Sequence, residues 1–359
     1  MIPPLVKTLK NKGNSVGMKA EQAWLILFLL HQPIPNHPSL SIFRLEENRL
    51  SDSCTEDLAF AVNTKWSLKD LNLSNNKLGD TAVRLLSVAL RNQECKIQKL
   101  GLADACLTGS CAEVLVSILD TNQSLTDLNL SSNKLGDSGV KLLCGALRKP
   151  DCKIQKLGLS AVSLTASCAE DLASTLHANS ALTVLNLSYN KLGDSGMKLL
   201  SKALRNPDCK IQRLQLCDTG FSALSIQHLA SALSTNESLI ELDLGHNKVC
   251  DAGVKHLSEA LKDQDWKIQK LRLDDTCLTD SCINDLVSAL GTNRSVTELN
   301  LESNSFTDQS IPKLQKLIIN CSSLDRIELW KNRFSSTGEN RLKSLQGIRR
   351  GLSVVLTSC

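Results

Sequence analysis

The side chains with chemical reach in this 359-residue chain gather in its second half. Tyr189, then Cys217 and Asp218, Asp243 and His246, Arg272, Asp274 and Asp275, Glu302, and finally Glu328, Trp330 and Lys331 return at steps close to 28 residues. Aromatic rings set among arginine and carboxylates anchor protein partners, so the chemistry offered is recognition. Catalysis lacks its parts. Serines and histidines are scattered with neither a nucleophile elbow nor an HExxH pattern. Gly13-Asn-Ser-Val-Gly17-Met-Lys19 echoes a phosphate loop, but three residues separate its glycines instead of four and Ala20 follows the lysine. His246, Cys250 and His256 fall on different faces of their segment and make no metal site. No catalytic residue, metal ligand or cofactor is assigned.

A repeat places these residues. The pattern LxxLxLxxNxL, or a variant, begins at Leu40, Leu68, Ile97, Leu125, Ile154, Leu182, Ile211, Leu239, Ile268, Val296 and Leu324, in steps of 28 or 29 residues. Eleven units fill 40–351, and Leu352, Val355 and Thr357 begin a truncated twelfth over 352–359. Counted from the first leucine of a unit, Leu128 and Leu130 alternate with Asp127, Asn129 and Ser131, which predicts a short half-buried strand. Position 9 is Asn48, Asn76, Asn133, Asn190, Asn247, Asn304 or Asn332 in seven units, where its amide can bond the backbone leaving the strand. Asp137 reads as a helix N-cap. Val140, Leu143, Ala146 and Leu147 form one apolar helix face, and Asp137–Lys141, Asp194–Lys198 and Asp251–Lys255 read as supporting pairs of opposite charge.

Parallel strands stack ~4.8 Å apart while packed helices need ~8–10 Å. A stack of strand–helix units therefore curves, with the sheet on the concave face and the helices on the convex one. The expected fold is an α/β solenoid shaped as a horseshoe. Position 3 of the inner face runs Asp70, Lys99, Asp127, Lys156, Val184, Arg213, Glu241, Lys270, Glu298, Arg326, a ladder of alternating sign that cancels its own field. The candidate binding surface is the later half of that face: Tyr189, Asp218, Asp243, His246, Arg272, Asp274, Asp275, Glu302, Trp330 and Lys331.

Composition narrows the class further. Lys and Arg number 41 and Asp and Glu 37, a net charge of +4, too even for a dedicated nucleic-acid binder. The longest apolar run, Ala23 to Leu30, is too short for a membrane span. Fourteen cysteines are explained by the repeat, with Cys111 and Cys168, or Cys95, Cys152 and Cys209, two units apart and beyond disulfide reach. They read as buried thiols, which suits a cytoplasmic location. The sequons at Asn72, Asn129 and Asn186 follow from the strand consensus. Residues 1–39 stand outside the repeat and read as a leader with a capping helix from Glu21 to Leu30.

Two unit types alternate. One has Asn at position 9 with a small residue six positions on (Ala82, Gly139, Gly196, Gly253); the other has Ala105, Val162, Thr219 or Thr276, often with Cys (Cys111, Cys168, Cys282). This 57-residue double repeat resembles the ribonuclease-inhibitor subtype of leucine-rich repeats. The phrases NLSxNKLGDSG and LRNPDCKIQ are similar to the carboxy-terminal repeats of NOD-like receptors, cytosolic immune sensors with a NACHT nucleotide-binding domain. The first and last units depart from the alternation, Asn48 occurring with Cys54 and Asn332 with Gly338. The resemblance implies a non-enzymatic, ligand-sensing or autoinhibitory module that takes a protein partner on its concave face. It also implies a nucleotide-binding domain upstream, absent from this chain, which is then a fragment, an isoform or a repeat-only relative. A ribonuclease inhibitor is the alternative implied, but its basic partner calls for an acidic, aromatic-rich inner face.

Overall fold

The computed structural model describes residues 41–51, 55–64, 68–262, 266–349 and 351–357. The leader and capping helix expected over 1–39 lie outside them. Twelve strands of three residues each pair in chain order, all parallel, in one open sheet from β1 (Ile42–Arg44) to β12 (Ser353–Val355). Each of the first eleven strands is followed by a helical return, so the sheet lines the concave face and the helices the convex face of a solenoid. The middle residue of each strand points into the stack. Leu128, Leu157, Leu242 and Leu271 are all buried, while their flanking residues stay half-buried or exposed, except Asp243, which is buried as well. One continuous apolar core runs from Phe43 to Leu356.

The position-9 asparagines explain why units come in two kinds. Asn133 Oδ1 accepts the backbone N–H of Ala105 at 3.1 Å and of Leu107 at 2.9 Å, both in the preceding unit. Its amide donates to the carbonyls of Leu102, Leu130 and Ser131. One asparagine thus satisfies two neighbouring turns, and the unit before it needs none. Asn76, Asn190, Asn247 and Asn304 repeat the arrangement. Where Thr219 and Thr276 replace asparagine, each hydroxyl bonds a carbonyl of its own unit, Leu216 or Leu273. A second asparagine ladder went unread in the sequence: Asn122, Asn179, Asn236 and Asn293 donate to Leu90, Leu147, Leu204 and Leu261 at the end of the previous helix.

Three expectations are corrected. Asp137 is not an N-cap. The helix Gly136–Leu147 starts after Leu135 with no side-chain cap, and the Asp137 carboxylate crosses to the next unit, accepting from Thr165 N at 2.8 Å and from its hydroxyl. Thr165 in turn caps its own turn by accepting from Ser167 N. Asp80–Thr108, Asp194–Ser222 and Asp251–Thr279 repeat this bridge. Because those carboxylates are committed across the unit boundary, the pairs Asp137–Lys141, Asp194–Lys198 and Asp251–Lys255 do not form. Lys141 instead lies 4.0 Å from Asp171. Finally, the partial twelfth unit sits one residue earlier than read. Val354 pairs opposite Ile327 and is buried with Leu352 and Leu356, whereas Val355 is half-buried and Thr357 exposed.

The Asp194–Ser222 bridge makes the fold acid-sensitive. Burial alone pulls the Asp194 carboxyl up, but hydrogen bonds from the Ser222 backbone and hydroxyl and from Ser225 outweigh it, so its pKa is lowered. A depressed folded pKa contributes stability that is complete above the unfolded value, ~3.9, and is lost as pH falls through the folded one. Asp194→Asn is expected to cost up to about 1 kcal/mol at pH 7 and to flatten the acid limb of stability. Urea midpoints measured between pH 2 and pH 7 check both.

Candidate protein-binding site on the concave face

Position 8 of every unit turns the chain out of its strand, and it does so through left-handed backbone. Tyr189 (φ 57°), Asp218 (49°), His246 (54°), Asp275 (50°) and Lys331 (53°) all occupy it, as do Glu47, Asn75, Asp104, Ser132, Ala161 and Ser303. The conformation is fixed from outside, since the N–H of position 8 donates to the position-7 carbonyl of the next unit. Tyr189 bonds Cys217, Asp218 bonds Gly245, His246 bonds Asp274 and Asp275 bonds Glu302. A row of side chains is thereby held at the rim of the sheet, at a conformational cost met by the ladder.

Positions 5 and 7 supply the floor. On β8 (Glu241–Asp243) and β9 (Lys270–Arg272), the Arg272 Nε lies 3.2 Å from Asp274 and 3.5 Å from Asp243. His246 reaches Asp275 with Nδ1 at 2.9 Å and lies 3.6 Å from Asp274 through Nε2. Five of the expected residues thus form one network: Asp243, Arg272, Asp274, His246 and Asp275. Asp243 and Asp274 are buried while Arg272 and His246 remain about half exposed. Burial pushes the Asp243 carboxyl up, against the Gly245 N–H and the Arg272 charge that hold it down. Burial also disfavours the Arg272 cation, yet Asp274 and Asp243 leave its pKa raised on balance.

Tyr189 joins from the side. It is 56% exposed, and its hydroxyl pairs with the Cys217 thiol, which raises the Tyr189 pKa. Burial pushes Cys217 up to about 11. Two units beyond the network, the Lys331 ammonium stands 4.1 Å over the Trp330 ring, a cation–π pair of its own. Asp218 is exposed and Glu302 half-buried, and the ion pairs above involve neither carboxylate.

Below the rim, β8, β9, β10 (Glu298–Asn300) and β11 (Arg326–Glu328) enclose a depression of about 110 Å³ lined by Glu241, Lys270, Arg272, Glu298, Asn300, Arg326 and Glu328. The charge ladder is real but paired by twos. Lys270 meets Glu298 at 2.7 Å, Arg213 meets Glu241 at 3.3 Å and Lys156 meets Asp127 at 3.4 Å. Arg326 turns instead to Glu328 on its own strand, at 2.7 Å. The same-face spacing i, i+2 of Arg272–Asp274 and Arg326–Glu328 was the available signal for these pairs. Among the described residues no group of three or more His, Cys, Asp or Glu could hold a metal ion, and no helix is long and apolar enough to cross a membrane.

Strands, helical returns and two asparagine ladders define a leucine-rich-repeat protein. The family described as "Leucine Rich repeat" matches at residues 67–87, 121–144, 178–201, 235–258 and 292–311. Over its repeats the chain is homologous to NOD-like receptors that carry NACHT, LRR and PYD domains. It is 37% identical over 309 residues to the cattle (Bos taurus) "NACHT, LRR and PYD domains-containing protein 3", covering 86% of this chain and 30% of that protein. It is 39% identical over 298 residues to the human "NACHT, LRR and PYD domains-containing protein 5", 82% and 25% respectively. The chain therefore spans about a third or less of these relatives' length. Among solved structures it is similar in fold to the yeast Rad7 and Elc1 complex (TM-score 0.54, 16% identity, 99% of this chain and 87% of that one). An internalin from Listeria monocytogenes gives a TM-score of 0.51 at 18% identity, with 89% and 74% covered.

Proposed function

We propose that this chain is a non-enzymatic protein-interaction module, the ligand-sensing or autoinhibitory repeat region of a cytoplasmic NOD-like innate immune receptor. Its partner docks on the concave face between Tyr189 and Lys331. The observation that carries this reading is the Asp243–Arg272–Asp274–His246–Asp275 network, five residues from two adjacent units, set in a rigid sheet and flanked by Tyr189 and Trp330. Such a surface needs little ordering on association, so less of the contact energy is lost to entropy. Homology over the repeats supports the receptor assignment, and thiols packed in the core, Cys111, Cys168 and Cys282 among them, support a reducing compartment. A ribonuclease-inhibitor role is disfavoured by the net charge of +4 and by a ladder whose carboxylates are already paired.

The test is binding to a NACHT-containing segment of the cattle relative. Trp330→Ala and Arg272→Ala are expected to weaken it at least ~10-fold, as anchor residues do, while Leu142→Ala on the convex face leaves it unchanged. Equal effects from all three, or nanomolar inhibition of a pancreatic-type ribonuclease instead, would sink the reading.

A further inference from the structure

In four successive unit pairs, the residue at position 12 of one unit donates its N–H to position 9 of the next. Gly79 bonds Ala105 at 3.0 Å, Gly136 bonds Val162 at 2.9 Å, Gly193 bonds Thr219 at 3.0 Å and Cys250 bonds Thr276 at 2.9 Å. All four donors are left-handed, with φ of 66°, 64°, 60° and 52°. Glycine accepts that backbone without cost, and a residue with a Cβ does not. Cys250 stands where its three counterparts are glycine. The residue after each acceptor is Cys106, Ser163, Gly220 or Cys277, also left-handed, with φ of 58°, 65°, 76° and 61°. In the fourth pair alone, both positions carry a thiol.

We propose that Cys250 and Cys277 form a surface dithiol, a modification site that closes to a disulfide when a hydroperoxide oxidises it. One hydrogen bond joins the Cys250 backbone to the peptide leading into Cys277. The two Cα atoms are therefore about one strand spacing apart, ~5 Å, inside the ~4.4–6.8 Å span of disulfides. Cys277 is exposed and Cys250 half-buried, so peroxide meets Cys277 first. Its thiolate attacks one peroxide oxygen: an S–O bond forms, the O–O bond breaks, and the leaving hydroxide takes up the thiol proton as water. Cys250 then attacks that sulfur: S–S forms, S–O breaks, and a second hydroxide leaves with the Cys250 proton as water. Two thiols are oxidised and one peroxide is reduced.

Burial pushes the Cys250 thiol up, and the neighbouring Cys277 raises it further, which suits the resolving partner. The bond would staple the turns that carry His246 and Asp275, already paired at 2.9 Å. Cys106 is the internal control, because it too is exposed but its turn pairs with Gly79.

The experiment treats the reduced full chain with equimolar hydrogen peroxide in the presence of dimedone, followed by non-reducing peptide mapping. Expected are a Cys250–Cys277 cross-linked peptide, a dimedone adduct at Cys106 and almost none at Cys277. In Cys250→Gly, which restores the residue found in the three other pairs and so keeps the fold, Cys277 should gain the adduct to the level of Cys106. A wild-type chain whose Cys277 labels like Cys106, or cross-links to another cysteine, would overturn the proposal.

Discussion

Asn133→Ala is expected to cost about 3–6 kcal/mol of stability. Two buried backbone N–H groups, of Ala105 and Leu107, lose their acceptor, and the carbonyls of Leu102, Leu130 and Ser131 lose a donor. An unpaired buried polar group costs about 1–3 kcal/mol each, and alanine is too small to replace the amide or to admit water easily. Asn129, four residues earlier, is the matched control. It is exposed on the sheet, and its side-chain oxygen accepts from Ser131 N at 3.1 Å. Asn129→Ala should cost under about 1 kcal/mol. Urea unfolding of the two variants decides the matter, and similar midpoints would refute the view that position 9 holds two units together. Because each unit contacts only its neighbours, the Asn133 variant should also lose protection first in the turns around Leu102–Leu107 and Leu130–Asn133. Amide hydrogen exchange would show this.

That asymmetry also marks what was legible in the sequence. The strand was readable because Leu128 and Leu130 alternate with polar residues, and period two has one structural meaning. Asn133 was readable as structural because its type and place recur. Its reach into the preceding unit was not, although the missing asparagine at Ala105 and Val162 is the trace of that sharing. Asp137 was misread because an acid before an apolar helix face satisfies the local rule for a cap. The rule is blind to Thr165, 28 residues away, whose N–H and hydroxyl compete for the same carboxylate and win it. The one-residue slip at Val355 has a similar origin, since the last return is shorter than the others and only pairing with β11 sets the register. For the candidate site, the residue types at positions 5, 7 and 8 named the surface. Which charges would meet was a matter of side-chain reach across ~5 Å, and the ladder's rule of alternating neighbours missed Arg326 turning to Glu328.

Arg272→Ala is expected to cost about 2 kcal/mol at pH 7 and much less in acid. The substitution removes the cation that faces Asp243 and Asp274, both buried. Breaking a fully buried pair costs ~3–5 kcal/mol, but the Arg272 side chain is 48% exposed, so the figure is discounted for screening. The direction with pH follows from Asp243, whose pKa is raised by burial even with Arg272 beside it and rises further without it. An acid with a raised folded pKa holds its proton where the unfolded chain has lost it. The folded state is thus favoured below the unfolded value near ~3.9, and that advantage disappears as pH climbs through the folded value. The stability gap between wild type and Arg272→Ala should therefore open as pH climbs above about 4 and stay open once Asp243 is ionised in the folded state. Asp243→Asn placed on Arg272→Ala should close most of it, because the amide carries no charge to desolvate and its oxygen can still accept the Gly245 N–H. Urea midpoints of the three variants at pH 3.5 and pH 7 test the scheme. A gap independent of pH would mean that Arg272 acts through packing of its aliphatic stem, and the network would then be a scaffold for shape more than for charge.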